Sequence, residues 1–328
     1  VAVAFLVVMA LGLPGVAVFT SMMRTYVVAG ALMCVPATLQ AMTGSRAIGL
    51  TENPNDFAAA LVLAVVALAY LIRLRGPYRR SRGLMLLAPV LAWGVVLTGS
   101  RMGLLALTLA SFLVAFDMAP RSKRVPVMVG ALLILAVGFI ALITASDLAR
   151  DRFDPRLAAE DRGAGRLDIW LVAVRRTDSA PLQGAGLRNF GPQASSLLAS
   201  EPGVQATEGQ LLNTVDLPIH NTYLDMLLEL GAVGLLLFLW TLGRAVAATW
   251  RCHRPEWRGP ARTLVLQMFL LVSFMIVFSS GINYKWLWML IGISIAMNGE
   301  PRADRQATGS RVSPSLQIRD PRASLIVR

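Results

Sequence analysis

Residues 53–75 read NPNDFAAALVLAVVALAYLIRLR, and this stretch decides the fold class. No charged side chain occurs between Phe57 and Ile72, while a polar turn precedes the run and Arg73 and Arg75 follow it. Such a run approaches the length that a hydrocarbon core demands of a helix. In lipid, a spanning segment must satisfy its own backbone hydrogen bonds, which a helix does.

The same pattern recurs along the chain. Its 328 residues are 55% hydrophobic and only 15% charged, with a mean hydropathy of +0.60. A soluble domain carries about 25% charged residues, so this composition indicates an all-α polytopic membrane protein. The continuity of the runs excludes the alternating pattern of an outer-membrane barrel. Nine spans are expected, at about 1–20, 26–42, 57–72, 83–99, 103–116, 127–145, 222–242, 263–280 and 284–298. Pro14, Pro36 and Pro89 fall inside spans, where they suggest bends rather than breaks. Cys34 and Cys252 are too few for a disulfide framework and read as structural or incidental.

Charge supplies the orientation. The formal net charge is +12, but the arginines cluster in 73–82, 117–126, 243–262 and the tail after 298. Alternate threading of nine spans puts all four segments on one side, which the positive-inside rule makes cytoplasmic. The excess charge therefore reports topology and anionic headgroups rather than nucleic acid. The organisation expected is membrane helices over 1–145, a long periplasmic loop with short helices over 146–221, membrane helices over 222–298, and a flexible cytoplasmic tail over 299–328. The long loop holds eight arginines against ten acidic residues. It has no basic bias, and it reads as a folded external lid.

The residues that could do chemistry lie on the external side. His220 immediately precedes a long span, where a neutral imidazole could accept a proton from a hydroxyl. His253 lies among cytoplasmic arginines and reads as a headgroup-facing residue. The tetrapeptide TGSR occurs at 43–46 and again at 98–101, each copy ending a span. Thr, Gly and Ser suit a helix exit and the capping of the next turn, but they do not account for Arg46 and Arg101 on the side poorer in positive charge. With Arg166, these arginines offer fixed forks of donors to phosphate oxygens. Several converging on one cavity could stabilise a departing diphosphate. Asn55 and Asp56 lie in the polar turn before the third span, where either could cap that span or orient a sugar hydroxyl. Asn221, Asp225 and Glu229 follow His220 as further substrate-binding candidates; an ionisable Glu229 within an apolar helix is a functional candidate by its depth. No spacing of carboxylates or histidines recommends a metal, and no cofactor is expected.

The ordered segments LTGSRMGLLALTLA, GRLDIWLVAV, PLQGAGLRNFG and HNTYLDMLLELGAVGLLLFL, with SRAIGLTENPNDFAA at 45–59 upstream, resemble the O-antigen ligase and polymerase family, whose members share the Wzy C-terminal-type domain. The resemblance covers roughly residues 40–295. It implies an inner-membrane glycosyltransferase that moves glycan from an undecaprenyl diphosphate carrier at the periplasmic face. In the ligase branch the acceptor is lipid A–core; in the polymerase branch it is a second lipid-linked glycan. Motif matching assigns the catalytic positions to Arg46, Arg166 and His220, with Arg101 supporting the cavity. Members often have about twelve spans with the long loop after the ninth. Here the loop follows the sixth, so the resemblance also implies that N-terminal spans are missing from this chain. Transfer is expected to be metal-independent and inverting, with His220 serving the acceptor hydroxyl. Two rival readings are a lipid-linked oligosaccharide transporter, for which Glu229 would be the deep charge, and a non-catalytic assembly partner.

Overall fold

The computed structural model describes residues 15–75, 83–145, 165–204, 217–279 and 285–299, together with 150, 154 and 156. Among the described residues the regular structure is entirely helical. The helices are α1 (Val16–Met42), α2 (Pro54–Arg75), α3 (Leu87–Leu97), α4 (Arg101–Met118), α5 (Arg124–Ala145), α6 (Arg166–Thr177), α7 (Ala194–Ser200), α8 (Thr222–Trp250), α9 (Pro260–Met275) and α10 (Lys285–Asn298).

The stretch that announced the fold is its centre. α2 packs against α1, α3, α4 and α9, and its side chains are buried almost without interruption from Phe57 to Ile72. A helix that is apolar all round belongs in an interior, and the alanines at 58, 59, 64 and 67 let neighbours approach closely. Gly94 of α3 and Gly103 of α4 extend this. A Cβ at 94 would lie 2.6 Å from the Leu61 side chain, and one at 103 would lie 2.6 Å from the Ala58 Cβ. The bundle's outer surface is apolar as well. Val28, Leu32, Val35 and Leu39 form an exposed stripe on α1, and Val233, Leu236, Leu237 and Trp240 form another on α8. Surfaces of this kind are covered by lipid, and the chain is a membrane protein.

Among the described residues, the helices do not follow the expected spans one for one. Residues 16–42 form one unbroken helix where two spans were expected, because Ser21–Thr25 remain helical. Thr20 Oγ1 bonds Val16 O (2.7 Å) and pairs with the Tyr70 hydroxyl (2.7 Å), so the polar residues are absorbed within the helix and against α2. At 27 residues, α1 is about 40 Å long, enough for one crossing with Arg24 exposed near one end. Among the described residues, four helices, α1, α2, α4 and α8, are long and apolar enough to cross a membrane; α9, and α3 with its preceding turn from Gly83, are apolar but shorter. Pro36 lies inside α1, and Pro89 lies in the first turn of α3, where a missing N–H leaves no bond unmade. Residues 1–14, Pro14 included, lie outside the described residues, as do 76–82, most of 146–164, 205–216 and the tail from 300.

The helices sort the connections into two ends. At one end, α2 and α4 are joined by the Arg73–Asp117 ion pair, Phe19 packs on Tyr70 and Trp257, and Arg254 donates to Ala296 O and Gly299 O. Arg124 covers the Phe116 ring, His253 is exposed, and Cys252 is buried with its thiol donating to Met297 O. At the other end lie residues 43–56, 98–101, 165–204, 217–222 and 276–279. The described parts of the four basic segments thus share one end, and all the external candidates share the opposite one.

The contact at Gly103 gives a packing test. Gly103→Leu should lower stability by about 1–3 kcal/mol, read as a drop in Tm of the detergent-solubilised protein. Gly130→Leu, with nothing within 4 Å of its Cβ, should leave Tm near the parent value.

Candidate functional site

Two groups of residues occupy the candidate end, and the first is built from both TGSR copies. Each copy closes a helix in the same way. Thr43 Oγ1 donates to Gln40 O and Thr98 Oγ1 to Val95 O, and Gly44 (φ 78°) and Gly99 (φ 57°) then take the left-handed conformation that glycine enters without a Cβ penalty. The serines then diverge. Ser45 Oγ turns back to Gln40 O (2.9 Å), whereas Ser100 caps α4 by accepting from Gly103 N–H and donates to Asn55 Oδ1 (2.7 Å). Arg46 joins the copies. Its Nε–H donates to Thr98 O (2.9 Å) while Ala47 N–H donates to Leu97 O (3.2 Å). Arg101 follows the cap as the first, half-buried residue of α4.

Two residues that the sequence reading passed over hold this group in shape. Gln40 accepts from the N–H groups of Ile48 and Gly49 and donates to Gly49 O, fixing the turn after Arg46. Asn53, rather than Asn55 or Asp56, caps α2: its Oδ1 accepts from the N–H of both, and Asp56 accepts from Asn53 Nδ2. Asn55 instead uses its side-chain oxygen to link α2 to Ser100.

The second group lies where the lid meets α8. α6 and α7 enclose a small core of their own, with Ile169, Val172, Phe190, Leu198 and Ile219 packed against Leu224 and Leu228 of α8. Arg166 opens α6 and acts electrostatically on His220. Burial, and then the positive charge of Arg166, hold the His220 imidazole down at a pKa of about 4. His220 is half-buried and takes φ 57°, a conformation uncommon outside glycine. Its flanks are fixed: Trp170 Nε1–H donates to Ile219 O (2.8 Å), and Asn221 Oδ1 caps α8 by accepting from the N–H of Tyr223 and Leu224. Thr222 donates its N–H to Ile276 O and its hydroxyl to Ser279 O, tying this corner to the end of α9. Asp225 is buried in the first turn of α8, and Glu229 is half-buried one turn on.

Glu229 does not lie within an unbroken span. α8 breaks at Gly231 (φ 69°, ψ −172°), and PLQGAG, residues 181–186, enters the break. A continuous helix would pair Ala232 N–H with Leu228 O and Val233 N–H with Glu229 O. Here Ala232 and Val233 donate to Pro181 O and Leu182 O, while Leu228 O and Glu229 O accept from Ala185 and Gly186. The approach leaves no room for side chains. A Cβ at Gly184 would sit 2.4 Å from Glu229 O, and one at Gly231 would sit 2.1 Å from Leu182 O. The 222–230 segment therefore packs with the lid, and 232–250 is the length that can span.

The structure thus brings Arg166 to His220, with Asn221, Asp225 and Glu229 on the adjoining turns. It brings Arg46 to Thr98, with Asn55 and Arg101 nearby. Both groups lie at one end, and the turn that follows α9, a helix packed on α2 and α4, carries the carbonyls that hold Thr222. Asp168, fully buried two residues after Arg166, and Arg188, at φ 58° in the lid turn, were not singled out by sequence although both stand in the quoted motifs. Among the described residues, no three of His, Cys, Asp and Glu converge as a metal site requires.

Residues 86–239 match the family profile described as O-antigen ligase. The resemblance to the O-antigen ligase and polymerase family read from the sequence is thus supported over these residues. The matched segment contains Arg101, Arg166, His220, Asn221, Asp225 and Glu229; Arg46 and Asn55 lie upstream of it and are bonded to its Thr98 and Ser100. Comparison with curated proteins gives no match.

The break in α8 carries its own expectation. Gly231→Ala and Gly184→Ala should each lower stability by about 1–3 kcal/mol or more, seen as a lower Tm and faster proteolytic cleavage of the lid. Gly203→Ala, also at positive φ but with no neighbour within 4 Å, should cost only about 1–2 kcal/mol.

Proposed function

We propose that the protein transfers glycan from undecaprenyl diphosphate to a sugar hydroxyl at the periplasmic face of the inner membrane, as an O-antigen ligase whose acceptor is lipid A–core. The observation that carries this reading is the pairing of Arg166 with a half-buried, neutral His220 inside the O-antigen ligase domain, at the end opposite the basic segments.

In this mechanism His220 presents a lone pair to the acceptor hydroxyl, which attacks the anomeric carbon of the lipid-linked sugar. The C–O bond to the diphosphate breaks as the new glycosidic bond forms, and the proton passes to the imidazole. Arg166 and Arg46 bind the diphosphate and stabilise the charge it acquires on leaving. A single displacement inverts the anomeric centre and calls on neither a carboxylate nucleophile nor a metal. Arg101, Asn55, Asn221, Asp225 and Glu229 line the surrounding surface, with Asn55 and Asn221 chiefly holding the local fold. The apolar groove of about 190 Å³ between α8 and α10, lined from Met226 and Leu230 to Leu242 on α8 and by Trp288 on α10, would suit the carrier's hydrocarbon chain.

An imidazole with a pKa of about 4 is a weak base. The donor corrects this: a diphosphate beside Arg166 offsets the charge that disfavours imidazolium, so the His220 pKa rises in the complex. The pH dependence should show it. The acid limb of kcat/KM, which reports free enzyme, should fall near pH 4, and the acid limb of kcat should lie higher. In Arg166→Gln the lost positive charge raises the free-enzyme limb, while burial still keeps it below about 6.5. An acid limb of kcat/KM at the ordinary histidine value in the parent would sink this account.

Role assignments are tested by transfer from labelled lipid-linked glycan in proteoliposomes. His220→Ala should lose about 10²–10⁴-fold in kcat, and Arg166→Ala about 10²–10³-fold, with Tm unchanged. Supplying either lipid A–core or a second lipid-linked glycan separates ligase from polymerase. For orientation, Ser45→Cys should react with an impermeant maleimide in intact spheroplasts, and Arg258→Cys only after permeabilisation.

A further inference from the structure

The mechanism leaves Trp170 without a task, yet its indole meets the chain beside His220. Trp170 stands four residues after Arg166, so both lie on one face of α6. The helix that brings Arg166 to the imidazole therefore also reaches the backbone that carries it. The Trp170 Nε1–H donates to Ile219 O at 2.8 Å, and that carbonyl belongs to the peptide unit joining Ile219 to His220. Its ring packs on Phe278 with centroids 6.4 Å apart, next to Ser279, whose carbonyl accepts from Thr222.

A non-glycine residue keeps a positive φ only where its surroundings over-determine it. For His220, φ is the angle about the bond that links the preceding peptide plane to its Cα. The following side is held by the Asn221 cap and by the bond from Thr222 N–H to Ile276 O, just after α9. The preceding plane is held by the indole N–H. Without that tether the plane can rotate and φ can return to the ordinary negative region, which swings the imidazole away from Arg166.

We propose that Trp170 is a positioning residue for His220, fixing the imidazole through the hydrogen bond to the peptide unit before it. The inference rests on the proposed role of His220, but the positioning itself can be measured apart from transfer. The chain has two histidines, and His253, exposed at the opposite end, serves as an internal reference. The full chain in nanodiscs is treated with diethylpyrocarbonate, and the ratio of His220 to His253 modification is read by mass spectrometry.

Trp170→Phe keeps a ring against Phe278 but removes the donor, and should raise the ratio by about threefold or more. It should also lower kcat for transfer about tenfold, leaving KM for the donor unchanged, as displacement of a reacting group does. Benzothienylalanine at position 170 preserves the indole shape without the N–H, and should reproduce both effects if Trp170→Phe fails to fold. Phe278→Leu, which keeps the donor, should retain the parent ratio. A parent ratio in the benzothienyl variant, or an equal rise in Phe278→Leu, overturns the proposal. Full transfer activity in His220→Ala would instead overturn the catalytic reading, while the modification ratio would still report on positioning.

Discussion

Backbone hydrogen bonding in a medium without water governs this structure. A helix that breaks away from water frees carbonyl and N–H groups that need other partners, at several kcal/mol each. α8 breaks at Gly231, and the lid segment 181–186 supplies a partner for each freed group. The lid is consequently bound to α8 by the same bonds that permit α8 to break, and neither feature persists without the other. Because Gly184 and Gly231 are backbone against backbone, the junction is made of main chain and needs no matching side chains. His220 then stands at the head of a short helical segment fixed below by this junction and above by the Trp170 and Thr222 bonds.

The second group obeys a related constraint at a helix exit. Each TGSR copy ends a helix whose last carbonyls need donors, and threonine hydroxyls and glycine turns provide them. Arg46 then uses one of its five N–H groups on a carbonyl of the other copy. The arginine is held by the exit of a neighbouring helix rather than hanging as a loose cation. A positive charge so fixed suits a ligand that bears negative charge at a defined place, since little reorganisation accompanies binding.

Much of this was legible in the sequence because its causes are local or additive. Apolar runs such as 57–72 reveal membrane helices through composition alone, and the arginine-bearing segments were assigned to a common side before any contact was known. Arg166 and His220 were singled out through residue type and position relative to those spans, and the structure sets them near each other. What sequence could not give is where two distant segments meet. The helix through Ser21–Thr25 depends on Thr20 and Tyr70 facing each other. The break at Gly231 depends on a segment some fifty residues upstream, and nothing in LELGAVG by itself separates a packing glycine from a hinge filled from outside. Asn53 rather than Asn55 caps α2 for a reason of register, a shift of two residues that composition does not resolve. The positive φ of His220 was equally hidden, since it arises from tethers on α6, α9 and α8 together.

The pairing of Arg166 with His220 links recognition to reactivity. A histidine placed beside an arginine in a half-buried corner resists protonation, so it remains an acceptor over the physiological range. In the proposed reaction, the same charge that weakens it as a base would attract the anion whose arrival cancels that effect. In that reaction, negative charge growing on the leaving diphosphate would make a nearby imidazolium more favourable and so stabilise the proton taken from the acceptor. Basicity would thus appear only in the ternary complex, where a hydroxyl is in place to use it. A free enzyme with a fully basic imidazole would have no such restraint against activating water, and the burial that depresses His220 also restricts water at the corner. In the proposed reaction, the electrostatics of one arginine and one histidine would therefore favour transfer to an acceptor over hydrolysis of the donor.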